Sequence, residues 1–326
     1  MEERRLFLKK SALTLITLSM PMVLSCKTGV TAATAKMNPK TPKKVVVFWY
    51  SQTGNTERAG RLIAETLKKQ GLDVVASEYR EMDPASVANF DMIVAGSPVY
   101  YYDVPANFKK WLRALPDIGG IPCAAYVTFG GTGGNQHNTA CTLLELLADK
   151  GGVPAGMETF ANMPTFAITW SYGNVDQVLK YKHLPNEKSY DKMRDFASLV
   201  LKRVGEGKPF EIDKEVDLRD LIKNTPSIWS TKLFISHHTI DADKCIECGT
   251  CIKKCPVGAI DLSKHHVDTD RCIACLGCVN NCPVQAVDMV FMGKEIYGYN
   301  EFVRRNGIQI LVPEEFKKEI HQSIRL

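Results

Sequence analysis

The chain has 326 residues, of which 45% are hydrophobic and 24% charged, a composition typical of a globular protein long enough for two domains. Its net charge of +5 is modest and forms no basic stripe, which excludes nucleic acid as an expected partner. Eleven cysteines are the compositional feature that most needs an explanation.

The first 25 residues have the pattern of a signal peptide. Arg4 and Arg5, followed by Phe-Leu-Lys, precede the apolar run Ser11–Leu24. This run is short for a membrane span and suits a signal sequence. The paired arginines resemble the twin-arginine export signal, which implies that the protein folds around its cofactors before export. An ordinary secretory signal is the alternative.

A cysteine directly follows this apolar run. Val23-Leu-Ser-Cys26 is similar to a lipoprotein box, which implies a lipid on Cys26, although Leu24 is not the commonest residue at its position. Ala33-Thr-Ala35 is a competing cleavage site that would release a soluble protein. Residues 26–44, rich in Thr, Ala, Lys and Pro, predict a flexible tether. We therefore expect an exported protein anchored through Cys26 to the outer face of the cytoplasmic membrane.

Residues 45–205 alternate short apolar strands with helices. The predicted strands are Val45–Tyr50, Leu72–Tyr79, Phe90–Ala95, Ala124–Thr128 and Met157–Phe160, and the predicted helices are Glu57–Gln70, Thr139–Lys150 and Lys188–Val204. This alternation predicts a doubly wound parallel sheet, an α/β fold that binds ligands at the carboxyl ends of its strands.

The loop after the first predicted strand has the composition of a phosphate site. It reads Ser51-Gln52-Thr53-Gly54-Asn55-Thr56 and leads into a helix, where backbone N–H groups and hydroxyls suit an anion. The loop contains neither Lys nor Arg and lacks the G-x-x-x-x-G-K pattern, which argues against a nucleoside triphosphatase. We predict a phosphate site built from neutral donors.

Two further loops follow later strands: Ser97-Pro98-Val99-Tyr100-Tyr101, and Thr128-Phe129-Gly130-Gly131 with Gly133. Together with the phosphate loop they resemble the flavodoxin family. The resemblance implies a sheet order of 2-1-3-4-5 and FMN as cofactor, with aromatics of the second loop on the isoalloxazine ring and backbone N–H groups of the third at its edge. Trp49 and Gly60 depart from the family pattern, and a fold that has lost its FMN is the alternative.

The connection Met163–Pro185 is longer than usual and has two interpretations. It is either a lid or substrate pocket over the flavin, or a surface excursion that packs on the second domain. Cys123 and Cys141 are interpreted as buried thiols, with a disulfide between them left open. Residues 206–238 form a linker, in which Leu218–Lys223 is a possible short helix.

Two cysteine runs in residues 239–326 repeat at an offset of 27 residues. Each has the pattern C-x2-C-x2-C-x3-C-P, which resembles the two-cluster bacterial ferredoxins. The resemblance implies a small α+β domain with two [4Fe-4S] clusters and an exchanged fourth ligand. One cluster would take Cys245, Cys248, Cys251 and Cys282, and the other Cys272, Cys275, Cys278 and Cys255. Structural zinc or disulfides are the alternatives.

The remaining polar and apolar patterns have plainer interpretations. His237-His238 and His265-His266 are interpreted as solvated or structural pairs, because the clusters already have eight cysteines. In the tail, Glu301–Arg305 and Pro313–Ile324 are predicted to cover a core.

The whole arrangement resembles flavodoxin–ferredoxin fusion proteins. That resemblance implies electron transfer between two [4Fe-4S] clusters and FMN, and then to or from a redox protein partner or a quinone-like acceptor. The alternatives are a flavin-dependent reductase of a small or quinone-like molecule, and a redox-sensing module that binds a partner. No acid–base pair or nucleophile stands out in the sequence, so catalytic residues are not assigned.

Overall fold

The computed structural model describes residues 36–215 and 218–317. The expected signal peptide, Cys26, most of the tether and the end of the helix predicted over Pro313–Ile324 lie outside these residues. Residues 44–162 contain a parallel sheet in the order β2-β1-β3-β4-β5, which confirms the predicted fold class. Its strands are β1 (Lys44–Trp49), β2 (Asp73–Glu78), β3 (Met92–Pro98), β4 (Pro122–Gly130) and β5 (Val153–Asn162).

Helices cover both faces of this sheet. They are α1 (Asn55–Lys69), α2 (Ala106–Arg113), α3 (Gln136–Ala148) and α6 (Glu187–Gly205). Two short helices, α4 (Ala167–Ser171) and α5 (Val175–Leu179), lie in the connection after β5. Val45 and Val47 of β1 face α1 and α6, whereas Val46 and Phe48 face α2 and α3. Because successive strand residues point to opposite faces, a strand buried on both sides is apolar throughout, as β1 is.

The second half of the chain is a small α+β unit. An antiparallel sheet joins β6 (Ile235–Ile240), β9 (Val287–Phe291) and β10 (Lys294–Glu295), and a hairpin joins β7 (Ile260–Asp261) to β8 (His266–Val267). Its helices are α7 (Thr225–Leu233), α8 (Thr250–Lys254), α9 (Gly277–Asn281) and α10 (Tyr299–Arg305). Short 3-10 helices cover Tyr79–Glu81, Pro84–Asn89, Leu218–Leu221 and Glu314–Phe316. Within the described ranges, no helix is both long and apolar enough to cross a bilayer.

The connection 163–185 joins the two halves. Trp170 is buried, stacks on Phe302 with ring centroids 4.5 Å apart, and donates its indole N–H to the Tyr297 carbonyl at 2.9 Å. Tyr172 donates its hydroxyl hydrogen bond to the Phe291 carbonyl at 2.5 Å. The helices of this connection therefore pack on the second domain, as the second of its two interpretations expects.

The chain returns to the first domain after α10. Tyr190 on α6 donates to the Leu311 carbonyl, and Arg194 donates to Glu315 at 3.0 Å. Phe316 is buried in the core between α1 and α6. The tail thus covers a core, and that core belongs to the first domain.

Candidate functional site

A cavity opens at the carboxyl ends of β1, β3, β4 and β5, the edge at which open parallel sheets bind their ligands. Most of its wall comes from loop residues predicted from the sequence: Ser51, Gln52, Thr53, Asn55, Thr56, Pro98, Val99, Tyr100, Thr128, Phe129 and Gly130. Asn162, which sequence reasoning missed, completes the lining at the end of β5, together with Met163 and Thr165 at the start of the connection 163–185.

The phosphate loop presents unused polar groups to this cavity. Gly54 has φ +86°, which lets the chain turn into α1, and no side chain caps that helix. The Thr56 and Thr128 hydroxyls lie 2.7 Å apart and fix the loop against β4. Ser51 Oγ and Asn162 Oδ1 are buried without a hydrogen-bond partner among the described residues. Orphaned buried polar atoms are rare, so these atoms and the free helix N-terminus fit a polar, phosphate-bearing ligand.

Other predicted flavin residues, including Gly54, lie beside the cavity wall rather than on it. Ser97 is buried and donates its hydroxyl to the Pro98 carbonyl at 2.8 Å. Gly131 donates its N–H to the Asn162 carbonyl at 3.2 Å and, with Gly133, shapes the third loop. Tyr101 reaches the second domain, where its hydroxyl donates to the Ala274 carbonyl at 2.8 Å.

Tyrosines form an apolar wall between the cavity and the second domain. The rings of Tyr50 and Tyr100 meet edge to face with centroids 5.9 Å apart. Burial and, next, the neighbouring Cys275 raise the pKa of both phenols well above the usual value. Both side chains therefore stay neutral, and the contact of Tyr101 with the Ala274 carbonyl brings the adjoining Cys275 to this side of the second domain.

The two cysteine runs adopt the same local structure. Backbone N–H groups donate to the sulfurs of Cys245 (from Glu247, 3.4 Å), Cys272 (from Ala274, 3.3 Å), Cys255 (from Ala259, 3.2 Å) and Cys282 (from Ala286, 3.1 Å). Donors and acceptors both repeat at the 27-residue offset of the sequence. Hydrogen bonds of this kind stabilise thiolates, the form that binds iron.

The sulfurs gather in the two crossed sets that the sequence resemblance implies. Set 1, comprising Cys245, Cys248, Cys251 and Cys282, lines one cavity. Set 2 comprises Cys255, Cys272, Cys275 and Cys278. In set 2 the pKa of the Cys278 thiol is raised well above the usual value by burial and then by the three other members. Ten cysteines of the described residues, Cys123 and Cys141 included, are free thiols.

The cysteines fit iron–sulfur clusters for two reasons: backbone N–H groups donate to their sulfurs, and the sulfurs group in two sets of four. Among the described residues, no three Cys, His, Asp or Glu side chains converge as closely as a single metal ion requires. The donor sets consist of thiols, the ligands that hold four-iron clusters.

The two sets differ in their surroundings. Cys248 of set 1 is exposed at the protein surface. Set 2 abuts the cavity, because Asn281 donates its side-chain N–H to the Gln52 carbonyl at 3.0 Å, and a Cβ on Gly277 would lie only 2.1 Å from Gln52 Oε1. Burial raises the pKa of the Cys275 thiol to about 12. Residues beside set 2 therefore contact both the phosphate loop and Tyr101 of the second flavin loop.

His238, part of a histidine pair that the sequence interpretation gave as solvated or structural, is a neighbour of set 2. Its Nε2 lies 3.5 Å from the Cys278 sulfur and its Nδ1 4.0 Å from the Cys272 sulfur. The side chain is buried, and burial, followed by His237, lowers its pKa to about 4. A neutral imidazole has one N–H, which can donate to a sulfur of set 2.

Two family models match the chain. Residues 46–160 match the model described as a flavodoxin domain, and residues 238–289 match the model described as a 4Fe-4S dicluster domain. Among curated proteins, a flavodoxin from Clostridium saccharobutylicum is 29% identical over 111 residues, covering 33% of this chain and 69% of that protein. The minor allergen Alt a 7 from Alternaria alternata is 32% identical over 117 residues, covering 31% of this chain and 56% of the allergen.

Solved flavodoxins resemble the first half. A flavodoxin from the domain Archaea has 17% identity and a TM-score of 0.37, covering 49% of this chain and 98% of its own. Oxidised flavodoxin 1 from Bacillus cereus has 16% identity and a TM-score of 0.38, with the same two coverages. The chain thus joins a flavodoxin domain to a 4Fe-4S dicluster domain, a combination that implies FMN and iron–sulfur clusters.

Proposed function

We propose that this protein is an electron relay in which FMN in the cavity exchanges electrons with a [4Fe-4S] cluster on set 2, and that cluster with a second one on set 1. The observation that carries the proposal is that residues beside the set 2 cysteines contact the flavin loops: Asn281 donates to the Gln52 carbonyl at 3.0 Å, and the Ala274 carbonyl accepts from Tyr101 at 2.8 Å. FMN supplies a centre that accepts electrons singly or in pairs, beside clusters that pass one at a time.

The residues around the cavity would bind and shield such a flavin through uncharged groups. The phosphate loop contributes neutral hydroxyls and backbone N–H groups at the start of α1. Tyr50 and Tyr100 remain uncharged beside the cavity, because burial raises their pKa. Met163 and Thr165 close the wall on the side of the second domain. This arrangement favours electron transfer between FMN and a neighbouring redox centre within the protein.

Set 1 is the side of the relay that faces solvent. The apolar side chains of Ile246 and Val284, which line the same cavity as the exposed Cys248, are 60% and 38% exposed. We name Cys248 and these two residues the electron port. A small apolar surface beside an exposed ligand suits brief docking of a redox protein or of a quinone-like acceptor.

Export and anchoring through Cys26 form a further part of the proposal. They are supported by the sequence of the leader, in which the arginine pair and the apolar run precede the cysteine. A lipid on Cys26 would keep the relay at the membrane, where quinone-like acceptors dissolve.

The test compares serine substitutions in the two cysteine sets. Anaerobically purified protein is expected to contain FMN together with iron and acid-labile sulfide for two four-iron clusters. Cys275→Ser and Cys248→Ser should each retain FMN but block its reduction by an external one-electron protein donor. Cys141→Ser is the matched control, because this buried thiol belongs to neither set. Flavin reduction at the wild-type rate in both cluster variants would overturn the relay.

A further inference from the structure

The segment Leu218–Leu233 directs its charged side chains toward the protein. Lys223 lies 3.2 Å from the Asp220 carboxylate, which also accepts hydrogen bonds from Asn135 at 3.0 Å and from Asn138 at 3.2 Å. Lys232 donates to the Asp270 carbonyl at 3.0 Å. These contacts hold the segment to both domains.

The outward side of the same segment is apolar. The exposed fractions are 71% for Leu218, 77% for Leu221, 47% for Ile222, 64% for Trp229 and 60% for Leu233. We call these five residues the outer stripe. The other exposed residues of the segment are Thr225, Pro226 and Ser230, so its exposed residues carry no charge. A soluble surface normally has the opposite arrangement, and large apolar side chains exposed together in one segment are typical of a docking site.

The chemistry of the outer stripe matches the boundary of a lipid bilayer. Large aliphatic side chains suit the acyl region, tryptophan is enriched at the headgroup level, and hydroxyl residues tolerate that level. The leader points to the same occupant. Cys26 and Lys36 are ten residues apart, a span that reaches at most about 36 Å. A chain anchored at Cys26 therefore keeps its folded body close to the membrane, where a weak apolar contact is enough for docking.

We propose that the outer stripe is a membrane-docking surface that seats the folded body on a lipid bilayer by apolar insertion. The inference rests on the proposed anchoring for its biological setting. Because the exposed residues of the segment are uncharged, docking does not require anionic lipid and does not weaken with salt.

The inner side of the segment links this surface to the cavity. Asn224 donates its backbone N–H to the Tyr101 carbonyl at 2.9 Å, and its side chain donates to Asp103 at 3.1 Å. The second flavin loop, which ends at Tyr101, thus contacts the inner side of the segment that carries the outer stripe. Docking of the stripe brings this loop toward the membrane.

The experiment supplies the tether chemically, so that it does not depend on natural lipidation. Holoprotein beginning at Cys26 is coupled through that thiol to a maleimide lipid in neutral phosphatidylcholine vesicles. Emission from Trp229 is obtained as the difference between wild type and Trp229→Phe. With brominated acyl chains, this emission should fall about two-fold at low and at high salt.

Two variants that keep Trp229 as the reporter test the stripe. Leu221→Ser combined with Leu233→Ser should lose the quenching while retaining FMN and iron. Leu199→Ser, a leucine 50% exposed on α6, should keep the quenching. Equal Trp229 emission in brominated and ordinary lipid overturns the proposal. So does a dimer in sedimentation that the double variant dissociates, because the stripe would then bind a second copy. Donor-driven flavin reduction, measured on the same samples without vesicles, reports separately on the relay.

Discussion

Replacing Trp170 by alanine should weaken the joint between the two domains. This side chain is 1% exposed, although it comes from a short helix in the connection after β5. It stacks on Phe302, which is fully buried, and donates its N–H to the Tyr297 carbonyl. Because both partners belong to the second domain, the loss falls mainly on domain docking.

The expected cost follows from these contacts. Truncating a fully buried tryptophan costs about 3–5 kcal/mol. Leaving the Tyr297 carbonyl without its donor adds about 1 kcal/mol. Trp170→Phe keeps the ring stack and loses the hydrogen bond, so it should cost about 1–2 kcal/mol. Trp229→Ala is the control, because Trp229 is 64% exposed and its truncation should change the free energy of unfolding by less than about 0.5 kcal/mol.

Anaerobic urea unfolding of the holoprotein measures this effect when cluster absorbance and flavin fluorescence are followed separately. In the wild type, both signals should change together. In Trp170→Ala the cluster signal should be lost at lower urea than the flavin signal, with Trp170→Phe intermediate. The reasoning is refuted if Trp170→Ala leaves both midpoints where wild type and Trp229→Ala have them.

Three further predictions concern individual side chains. His238→Phe removes an N–H donor from set 2 and should lower the reduction potential of one cluster by about 20–60 mV in a redox titration, whereas His237→Phe should change it little; equal potentials in wild type and His238→Phe would contradict the contact. Ser51→Ala should weaken FMN binding about ten-fold in fluorescence titrations but leave riboflavin, which lacks the phosphate, unaffected; an equal loss for both ligands would place Ser51 away from the phosphate. The pKa of Cys141 is raised to about 12 by burial and then by Glu145, so the thiolate is scarce below that pH. Iodoacetamide should therefore not label native Cys141 near pH 8, and rapid labelling detected by mass spectrometry would contradict its burial.

The sheet and the cysteine sets could be predicted because their patterns are local or repeated. Val45, Val46 and Val47 are consecutive and apolar, as a strand buried on both faces requires. The carboxyl ends of such strands meet at one edge, which places Ser51 and Thr128 in the same cavity. For the cysteines, the 27-residue repeat and the ferredoxin resemblance implied the crossed sets.

Residues that act through distant contacts left no such pattern. Asn162 is a single polar residue at the end of β5, and only the assembled sheet directs it to the cavity. Trp170 becomes buried through partners more than a hundred residues away. His238 did leave a signal in the sequence, because it lies two residues before the apolar Ile240 on β6. Residues two apart in a strand face the same side, so both side chains lie on the inner face of β6.

The order of the relay is tested most directly by the concentration dependence of flavin reduction. A flash-generated one-electron donor reduces set 1 through its exposed Cys248, and flavin absorbance is then followed at several protein concentrations. If set 2 connects set 1 to FMN within one chain, the flavin should be reduced in a first-order phase whose rate is independent of protein concentration and which Cys275→Ser abolishes. A rate proportional to protein concentration would show that electrons reach the flavin between molecules, and it would contradict the account.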